Sequence, residues 1–390
     1  MKDKKTLNIT YNVYGGHNIL APNAKTAYQY AQRTHSTMDL ISTPFANIDL
    51  SDSFFDTLRA SYVGFDDWFR KKAATGEHAI TYHEDGKLRD FLYLKEETEE
   101  LNDINPNLPA KHRLKVGTFK IDSRGTRRGE RLMKKLLDKA ISLNVEEIYV
   151  TIFPEQRLLP LIRSFENFGF DLMATKTHIN GKVENIYIRN MRCTEGTILS
   201  IYPYTDMRYG RFFQLGIKPE YHTRLFPDSI LKNEEKYDLI HDDSETNSIY
   251  KVYLSWAKGV HNLHCGDKIV IYRTSDNQGP ANYRSVCTSV CTVLERKFRS
   301  EFKNVTEFVK YALKYSVFTE SELIKWYNKG ENFIIIRMVY NIAFTRKVIL
   351  KDLREKAHLT DKYWGFFQYT PQEFETVLKL GEINERYLIR

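Results

Sequence analysis

Apolar and polar positions form their clearest pattern between residues 51 and 191. Helical spacing of the apolar residues predicts two short helices over 51–62 and 64–75. A period of two then predicts strands over 78–83 and 88–94, and the Asp85-Gly86 pair between them is typical of a tight hairpin turn. The pattern further predicts strands over 114–121, 147–153, 173–178 and 183–189, and helices over 129–143 and 158–168. The last two strands are joined by Asn180-Gly181, again typical of a hairpin turn. This order predicts an α+β fold with a mixed sheet.

The second half of the chain has a different pattern. Alternating runs predict strands over 269–273, 284–296 and 333–348, and short helices are predicted over 304–314, 320–328, 350–357 and 371–380. Strands interspersed with short helices predict a small, curved β-barrel domain. We therefore predict an N-terminal extension of unclear role over 1–50, a first domain over 51–191, a linker over 192–208 and a second domain over 209–390.

Charge and cysteine content bear on the binding partners and the cellular location of the protein. The formal net charge is +8, which suits a phosphate-bearing partner but also an ordinary basic surface. The four cysteines, Cys193, Cys265, Cys287 and Cys291, form no CxxC pair, so we predict reduced thiols, no metal site and no disulfide framework. The sequence has no signal peptide and no apolar run of about 18 residues, which predicts a soluble, cytoplasmic protein without membrane contact.

The segment 124–129, Arg-Gly-Thr-Arg-Arg-Gly, joins a predicted strand to a predicted helix. A chain that turns sharply into a helix directs unpaired backbone N–H groups at one point, and the helix dipole adds to the attraction for an anion. Glycine lets the backbone approach a phosphate closely, and the arginines add positive charge. A basic strand–turn–helix that binds nothing is the alternative.

This turn resembles the acetyl-CoA motif of the GNAT (Gcn5-related N-acetyltransferase) family, Arg/Gln-x-x-Gly-x-Gly/Ala. The frame here is Arg124-x-x-Arg127-x-Gly129, with arginine in place of the first glycine. The following buried strand and the segment 165–170, Phe-Glu-Asn-Phe-Gly-Phe, also resemble the family, over about 130 residues in all. The resemblance implies acetyl-CoA as cofactor and a backbone donor on the preceding strand. The residues predicted to contact the cofactor are Phe119, Lys120, Ile121, Arg124, Gly125, Thr126, Arg127, Arg128, Gly129, Glu130 and Arg131.

Acetyl transfer to an amine requires a base for the amine and an acid for the leaving thiolate. Many GNAT relatives use a tyrosine as the acid, and here Phe165 occupies its position, so Tyr149 and Tyr187 are the substitutes, with simple packing as their alternative role. Many relatives carry a glutamate base on the strand before the motif, which this chain lacks. Glu96 and Glu97 are the candidates, and a solvated acidic loop is the alternative.

The second half resembles the PUA-like superfamily, particularly its EVE and ASCH branches. The resemblance depends on Trp256, on the Gly266-Asp267 turn that enters the strand 269–273, on the strand 284–296 that follows, and on the aromatic cluster 363–367. It implies binding of RNA or DNA, because aromatic faces stack on exposed bases and cations hold phosphates. The residues predicted to contact nucleic acid are Trp256, Tyr272, Arg273, Arg284 and Trp364, with a core role for the aromatic residues as the alternative.

Three functional hypotheses follow. In the first, the chain is an acetyl-CoA-dependent N-acetyltransferase whose acceptor is an amine on, or bound to, nucleic acid, such as aminoacyl-tRNA in a toxin–antitoxin pair. In the second, it is a non-catalytic module that binds coenzyme A and reads modified RNA or DNA bases. In the third, the same fold acts on nucleobases with another acyl donor. The sequence leaves open whether the chain is a monomer or a homodimer.

Overall fold

The computed structural model describes residues 40–122, 127–226 and 249–390, together with the backbone of two strands before them. These two strands, β1 (Ile9–Val13) and β2 (His17–Ala21), pair with each other in antiparallel orientation. No helix in the described ranges is both long enough and apolar enough to cross a membrane.

A seven-stranded mixed sheet forms the first half of the chain. Its strands are β3 (Ile41–Pro44), β4 (His78–Glu84), β5 (Lys87–Glu97), β6 (Arg113–Ile121), β7 (Glu147–Ile152), β8 (Asp171–Thr177) and β9 (Val183–Asn190). The order across the sheet is β3-β4-β5-β6-β7-β9-β8. Neighbouring strands are antiparallel except β6 and β7, which are parallel. Both predicted hairpins are present: β4 pairs with β5 across the Asp85-Gly86 turn, and β8 pairs with β9 across the Asn180-Gly181 turn.

Helices cover both faces of this sheet. They are α1 (Asp56–Ser61), α2 (Phe65–Ala74), α3 (Arg128–Leu143) and α4 (Leu159–Asn167). On one face, Leu132 and Leu136 of α3 and Phe165 of α4 are fully buried in a core with Val116 and Val150 of the sheet. On the other face, α1 and α2 pack over β4 and β5, and the loop before β6 covers β7 to β9.

The second half is built on a six-stranded sheet. Its strands are β11 (Phe212–Ile217), β12 (Tyr250–Ser255), β13 (Lys268–Arg273), β14 (Val286–Phe298), β15 (Ile334–Ile349) and β16 (Phe366–Tyr369), and a short strand, β10 (Thr205–Asp206), precedes them. The order is β12-β15-β14-β13-β11-β16. The long strands β14 and β15 pair over most of their length with several register shifts, which bend the sheet.

This sheet is not closed within the described residues, because the edge strands β12 and β16 do not pair with each other. The predicted α+β fold class is confirmed, whereas closure into a barrel is not seen. The helices that flank the sheet are α5 (Pro219–Leu225), α6 (Ala281–Arg284), α7 (Val305–Ala312), α8 (Glu320–Asn328), α9 (Leu350–Glu355) and α10 (Pro371–Leu380). Capping boxes at Thr319 and Thr370 fix the starts of α8 and α10.

The two halves share part of one core. Tyr250 and Val339 of the second sheet pack into the core formed by α3, α4 and the first sheet. The segment predicted as a linker contributes Tyr202, which is fully buried and donates a hydrogen bond to the carbonyl of Tyr340 at 2.9 Å. The same segment forms β10, which pairs in parallel with the C-terminal strand β17 (Leu388–Ile389). Residues 41–44, in the predicted extension, form β3 at the edge of the first sheet.

Candidate functional site

Strands β6 and β7 diverge halfway along their length. Their parallel pairing runs from Arg113 opposite Glu147 to Val116 opposite Val150 and then ends. Beyond this point, within the described residues, β6 pairs only with β5 and β7 pairs only with β9. The strand ends therefore leave an opening in the middle of the sheet between residues 117–121 and residues 151–152. We refer to it as the strand opening.

A β-bulge marks the start of the strand opening. Tyr93 of β5 lies opposite Thr118 and Leu94 lies opposite Val116, which leaves Gly117 without a partner residue. A Cβ atom at Gly117 would lie 2.5 Å from Cδ1 of Tyr93, so the bulge requires glycine. Successive amides of a strand point to opposite edges, and alternate N–H groups among residues 118–121 therefore face the opening instead of β5.

The three strand residues predicted to contact the cofactor lie along this opening. The Phe119 ring packs against Phe165 with ring centroids 5.3 Å apart. The Lys120 ammonium reaches across to the hydroxyl of Thr57 on α1 and lies 4.9 Å from the centre of the Phe54 ring. Ile121 lies against the start of α3, where its Cδ1 atom would be 3.2 Å from a Cβ atom at Gly129. Their side chains thus shape the opening, and their backbone lines it.

Helix α3 begins next to the strand opening, and no side chain of the described residues caps it. Arg127 occupies the N-cap position, and its side chain makes no capping hydrogen bond. The first-turn amides of an α-helix have no acceptor within the helix, so the start of α3 presents N–H groups that an anion can accept. Gly129 lies in this turn, whereas Arg124, Gly125 and Thr126 lie outside the described residues.

The other charged residues of this turn have protein partners. The Arg127 guanidinium donates to the carbonyl of Leu313 at 3.1 Å and lies 5.5 Å from the centre of the Tyr315 ring. Glu130 accepts a hydrogen bond from the Tyr315 hydroxyl at 2.7 Å. These contacts hold the first turn of α3 against the second half of the chain.

Arg128 and Arg131 extend toward β4 and β5. Both lie over the Tyr82 ring, at 5.6 Å and 5.5 Å, and Arg128 is 3.8 Å from the buried carboxylate of Asp90. Burial raises the pKa of Asp90 to about 6, although the two arginines act in the opposite direction. The described contacts of these arginines therefore position the helix against the sheet.

Two of the four predicted catalytic residues meet in a cavity of about 200 Å³ on the face of the sheet opposite α3. The Tyr149 hydroxyl donates a hydrogen bond to the Glu97 carboxylate, and the Lys115 ammonium lies 3.8 Å from the same group. Asp103, Lys176 and Thr151 also line this cavity. It lies beside the narrow end of the strand opening, since Lys115 and Tyr149 are neighbours in the last paired stretch of β6 and β7.

The environment of this pair changes its acid–base properties. Burial opposes the charged form of Glu97, but hydrogen bonds from Lys95 and Tyr149 and the charge of Lys115 outweigh it and lower the pKa. Burial, reinforced by the Glu97 carboxylate, raises the pKa of Tyr149 well above its usual value. A carboxylate with a lowered pKa is a weaker base. The pair is thus better suited to holding a bound group than to moving a proton.

The other two predicted catalytic residues lie elsewhere. The Glu96 carboxylate is 2.8 Å from Nε2 of His112 at the end of β5, outside the cavity. Tyr187 is buried in the core beneath α3 and α4, where its hydroxyl accepts a hydrogen bond from Asn185 at 3.3 Å. The structure does not bring either residue to the cavity around Glu97 and Tyr149.

Helix α1 bridges the strand opening on the side opposite α3. Its Thr57 contacts Lys120 of β6, and its Ser61 accepts a hydrogen bond from Arg157 beyond β7 at 2.8 Å. The following residue, Tyr62, donates a hydrogen bond to Glu184 of β9, next to His178. The sequence analysis did not select Tyr62, His178 or Glu184. The Asn180-Gly181 hairpin turn was the available signal, because it places His178 beside Glu184.

Four of the five residues predicted to contact nucleic acid are neighbours. Tyr272 is buried and packs on the half-buried Trp364 with ring centroids 5.4 Å apart. Arg273 is only 1% exposed; it donates to the carbonyl of Arg284 at 3.0 Å, and both arginines pair with Asp276. Tyr272 and Arg273 therefore make core contacts, whereas Trp364 and Arg284 are half-buried. Trp256 lies apart from them, against Trp326 at 4.9 Å and Phe333 at 5.8 Å.

All four cysteines are free thiols, and Cys287 and Cys291 are buried in the second sheet. In the parts of the chain that the structure describes, no group of three or more His, Cys, Asp or Glu side chains is arranged to hold a metal ion.

Comparison with known proteins gives matches in structure only. No family model matches the sequence, and neither does any curated protein. Among solved structures, ASCH from Zymomonas mobilis is similar at 10% identity and a TM-score of 0.29, over 44% of this chain and 95% of its own. An N-acetyltransferase from Staphylococcus aureus Mu50 is similar at 11% identity and a TM-score of 0.28, over 39% and 98%. The NatC complex bound to Gag peptide and CoA matches at 17% identity and a TM-score of 0.25, over 39% and 99%.

Proposed function

We propose that this chain is an acetyl-CoA-dependent N-acetyltransferase. The observation that carries the proposal is the strand opening between β6 and β7, which leads directly to the uncapped start of α3. An extended, flat segment with amide groups fits between two diverging strands whose facing backbone donors and acceptors have no partner strand among the described residues. A pyrophosphate fits the N–H groups at the helix start.

Several residues of the chain would hold acetyl-CoA. The backbone of Phe119, Lys120 and Ile121 would bind along the strand opening, and the first-turn amides at Arg128 and Gly129 would face the pyrophosphate. Bound acetyl-CoA would supply an acyl thioester. An amide of β6 that faces the opening would stabilise the negative charge that develops on the carbonyl oxygen during acyl transfer.

We further propose that the acceptor is an amine on, or bound to, nucleic acid. The net charge of +8 supports this, as do the half-buried Trp364 and Arg284 of the second half. Arg354 also lies 5.9 Å from the centre of the Trp364 ring. An aminoacyl-tRNA would combine such a contact with a primary amine, as a toxin of a toxin–antitoxin pair would require.

A non-catalytic module that binds coenzyme A and reads modified bases is the second candidate. The observation that favours it is Phe165, which is fully buried between Phe119 and Phe170. No proton can come from this side chain. In this candidate the strand opening would hold coenzyme A without a chemical step.

Calorimetric titration of the full chain with acetyl-CoA tests the proposal. We expect micromolar binding by the wild type and a loss of at least about tenfold in affinity for Gly129→Glu, because a carboxylate at the helix start repels the pyrophosphate. Glutamate is favourable in the first turn of a helix, so the variant is expected to fold. Lys135→Gln on the exposed side of α3 changes the net charge equally and serves as the control.

The outcomes separate the candidates. Binding that Gly129→Glu loses and Lys135→Gln keeps supports the cofactor site, and release of CoA with aminoacyl-tRNA then supports the acetyltransferase. Binding without release for any amine or charged tRNA supports the non-catalytic module. A wild type that does not bind acetyl-CoA contradicts both.

A further inference from the structure

A buried carboxylate lies on β9, beside the end of β7 that borders the strand opening. Glu184 of β9 is only 2% exposed. Its Oε1 atom accepts a hydrogen bond from the Tyr62 hydroxyl at 2.6 Å, and its Oε2 atom is 2.9 Å from Nε2 of His178. A carboxylate is costly to bury without donors, and these two side chains supply one donor to each oxygen.

This arrangement fixes the tautomer of His178. An ionised carboxylate only accepts hydrogen bonds, so Nε2 of His178 carries the proton that it donates to Glu184. In the neutral ring, Nδ1 then has the free lone pair. Within the described ranges Nδ1 makes no hydrogen bond, and the side chain of His178 is 29% exposed. His178 therefore presents a basic nitrogen that the fold leaves for a ligand.

The strand register and the ring contacts place this group at the strand opening. Ile152, the last residue of β7, lies opposite Asn185, so the next residue, Phe153, lies beside Glu184. The Phe153 ring is 5.6 Å from the His178 ring and 5.3 Å from the Tyr62 ring. Glu184 shares its face of the sheet with Ile186 and Ile188, the face opposite α3. The His178 ring and the start of α3 thus lie on opposite faces of the sheet.

We propose that Nδ1 of His178 takes the proton of the acceptor amine, an inference that rests on the proposed acyl transfer. His178 removes one proton from the acceptor's ammonium group, and the nitrogen lone pair then forms a bond to the acyl carbon. The carbon–sulfur bond breaks, its electron pair goes to sulfur, and the second amine proton goes to the thiolate. The products are an amide and a free thiol, and the proton on His178 passes to solvent.

Glu184 and Tyr62 act through His178 as positioning residues. Glu184 fixes the tautomer and stabilises the imidazolium that forms, and Tyr62 holds Glu184 in place. The other charged groups near this cluster are Lys182 over the Phe153 ring, and Glu155 and Arg157, whose charges act on Tyr62. The acceptor site inferred here therefore takes a primary amine that enters between α1 and the β8–β9 hairpin.

Acyl transfer to methylamine, followed by release of free CoA, tests this inference in the full chain. For His178→Gln we expect kcat to fall about 100-fold near neutral pH with an unchanged affinity for acetyl-CoA. The difference in kcat between this variant and the wild type should shrink as pH rises, because more of the methylamine is then already deprotonated in solution. For Glu184→Gln we expect a smaller fall in kcat, again with an unchanged affinity for acetyl-CoA, because the neutral amide no longer stabilises the imidazolium that forms.

His78→Gln is the control, because His78 is an exposed histidine at the far edge of the same sheet and bonds only to Ser42 among the described residues. Normal transfer and an unchanged pH–rate profile in His178→Gln would overturn the inference. A wild type that binds acetyl-CoA but releases CoA with neither methylamine nor aminoacyl-tRNA, or one that does not bind acetyl-CoA, would instead remove the proposed function itself.

Discussion

At the scale of single residues, this protein buries charged groups beside its candidate site. Asp90 is fully buried next to Arg128 and Arg131, and neither of its carboxylate oxygens has a hydrogen-bond partner within the described part of the chain. Glu184 is buried as well, but both of its oxygens are hydrogen-bonded. The difference predicts that Asp90 affects stability through its charge, whereas Glu184 is available for a positioning role.

The raised pKa of Asp90 leads to a prediction for stability. A folded-state pKa of about 6 lies above the usual value, so the folded form binds the proton more tightly than the unfolded chain. The resulting stability is present below about pH 4 and is lost as pH rises through about 6, by up to about 3 kcal/mol. In Asp90→Asn, the free energy of unfolding in urea should not show this decrease between pH 4 and 7. The exposed Asp171→Asn is the control, and parallel curves for wild type and Asp90→Asn would contradict the prediction.

At the scale of elements, the strand opening depends on the bulge in β6. The bulge shifts the register between β5 and β6 by one residue, and the pairing of β6 with β7 ends beside it. An additional residue in one strand increases its local twist, and a twisted strand separates from its neighbour. The site thus follows from the way in which three strands pair.

Gly117→Ala tests the role of the bulge. The new Cβ atom would lie 2.5 Å from Cδ1 of Tyr93, so the strand must shift, and we expect a loss of about 1–3 kcal/mol in the free energy of unfolding. Acetyl-CoA binding should weaken in the same variant, because the amides that face the opening move. The neighbouring Thr118→Ala keeps the bulge and serves as the control. Wild-type stability and affinity in Gly117→Ala would show that the bulge is not required.

At the scale of the whole molecule, the second half of the chain holds the start of α3. Tyr315 lies against Arg127 and hydrogen-bonds Glu130, and Leu313 accepts a hydrogen bond from Arg127. The proposed cofactor turn and the second half are therefore in direct contact. We therefore expect a change at this contact to alter acetyl-CoA binding.

A double-mutant cycle of Tyr315→Phe and Glu130→Gln measures this contact. Loss of the hydroxyl leaves a nearly buried carboxylate without its donor, and we expect a coupling free energy of about 1–3 kcal/mol in urea unfolding. Acetyl-CoA affinity should fall in Tyr315→Phe. Tyr311→Phe removes a similar hydroxyl–carboxylate bond, to Glu295, within the second half and should leave that affinity unchanged. Equal acetyl-CoA affinities in Tyr315→Phe and Tyr311→Phe would mean that the two halves are not coupled at this point.

The sequence by itself determined the features that depend on local patterns. The two hairpins at Asp85-Gly86 and Asn180-Gly181, the helix from Arg128 and the α10 helix follow from periodicity and turn residues within a few positions. The basic turn before α3 could be recognised for the same reason. Helix and strand ends differ from the predicted ones by a few residues, because the last turn of an element depends on its packing.

Only the tertiary structure decided how these elements combine into a site. The end of the β6–β7 pairing and the unclosed second sheet depend on strands that are distant in sequence, and no local pattern sets their register. The Tyr62–Glu184 hydrogen bond joins residues 122 positions apart, and the Tyr315–Glu130 bond joins residues 185 apart. Such contacts form where packing brings two side chains together. Packing places Glu97 in contact with Tyr149, whereas Glu96 and Tyr187 lie away from that pair.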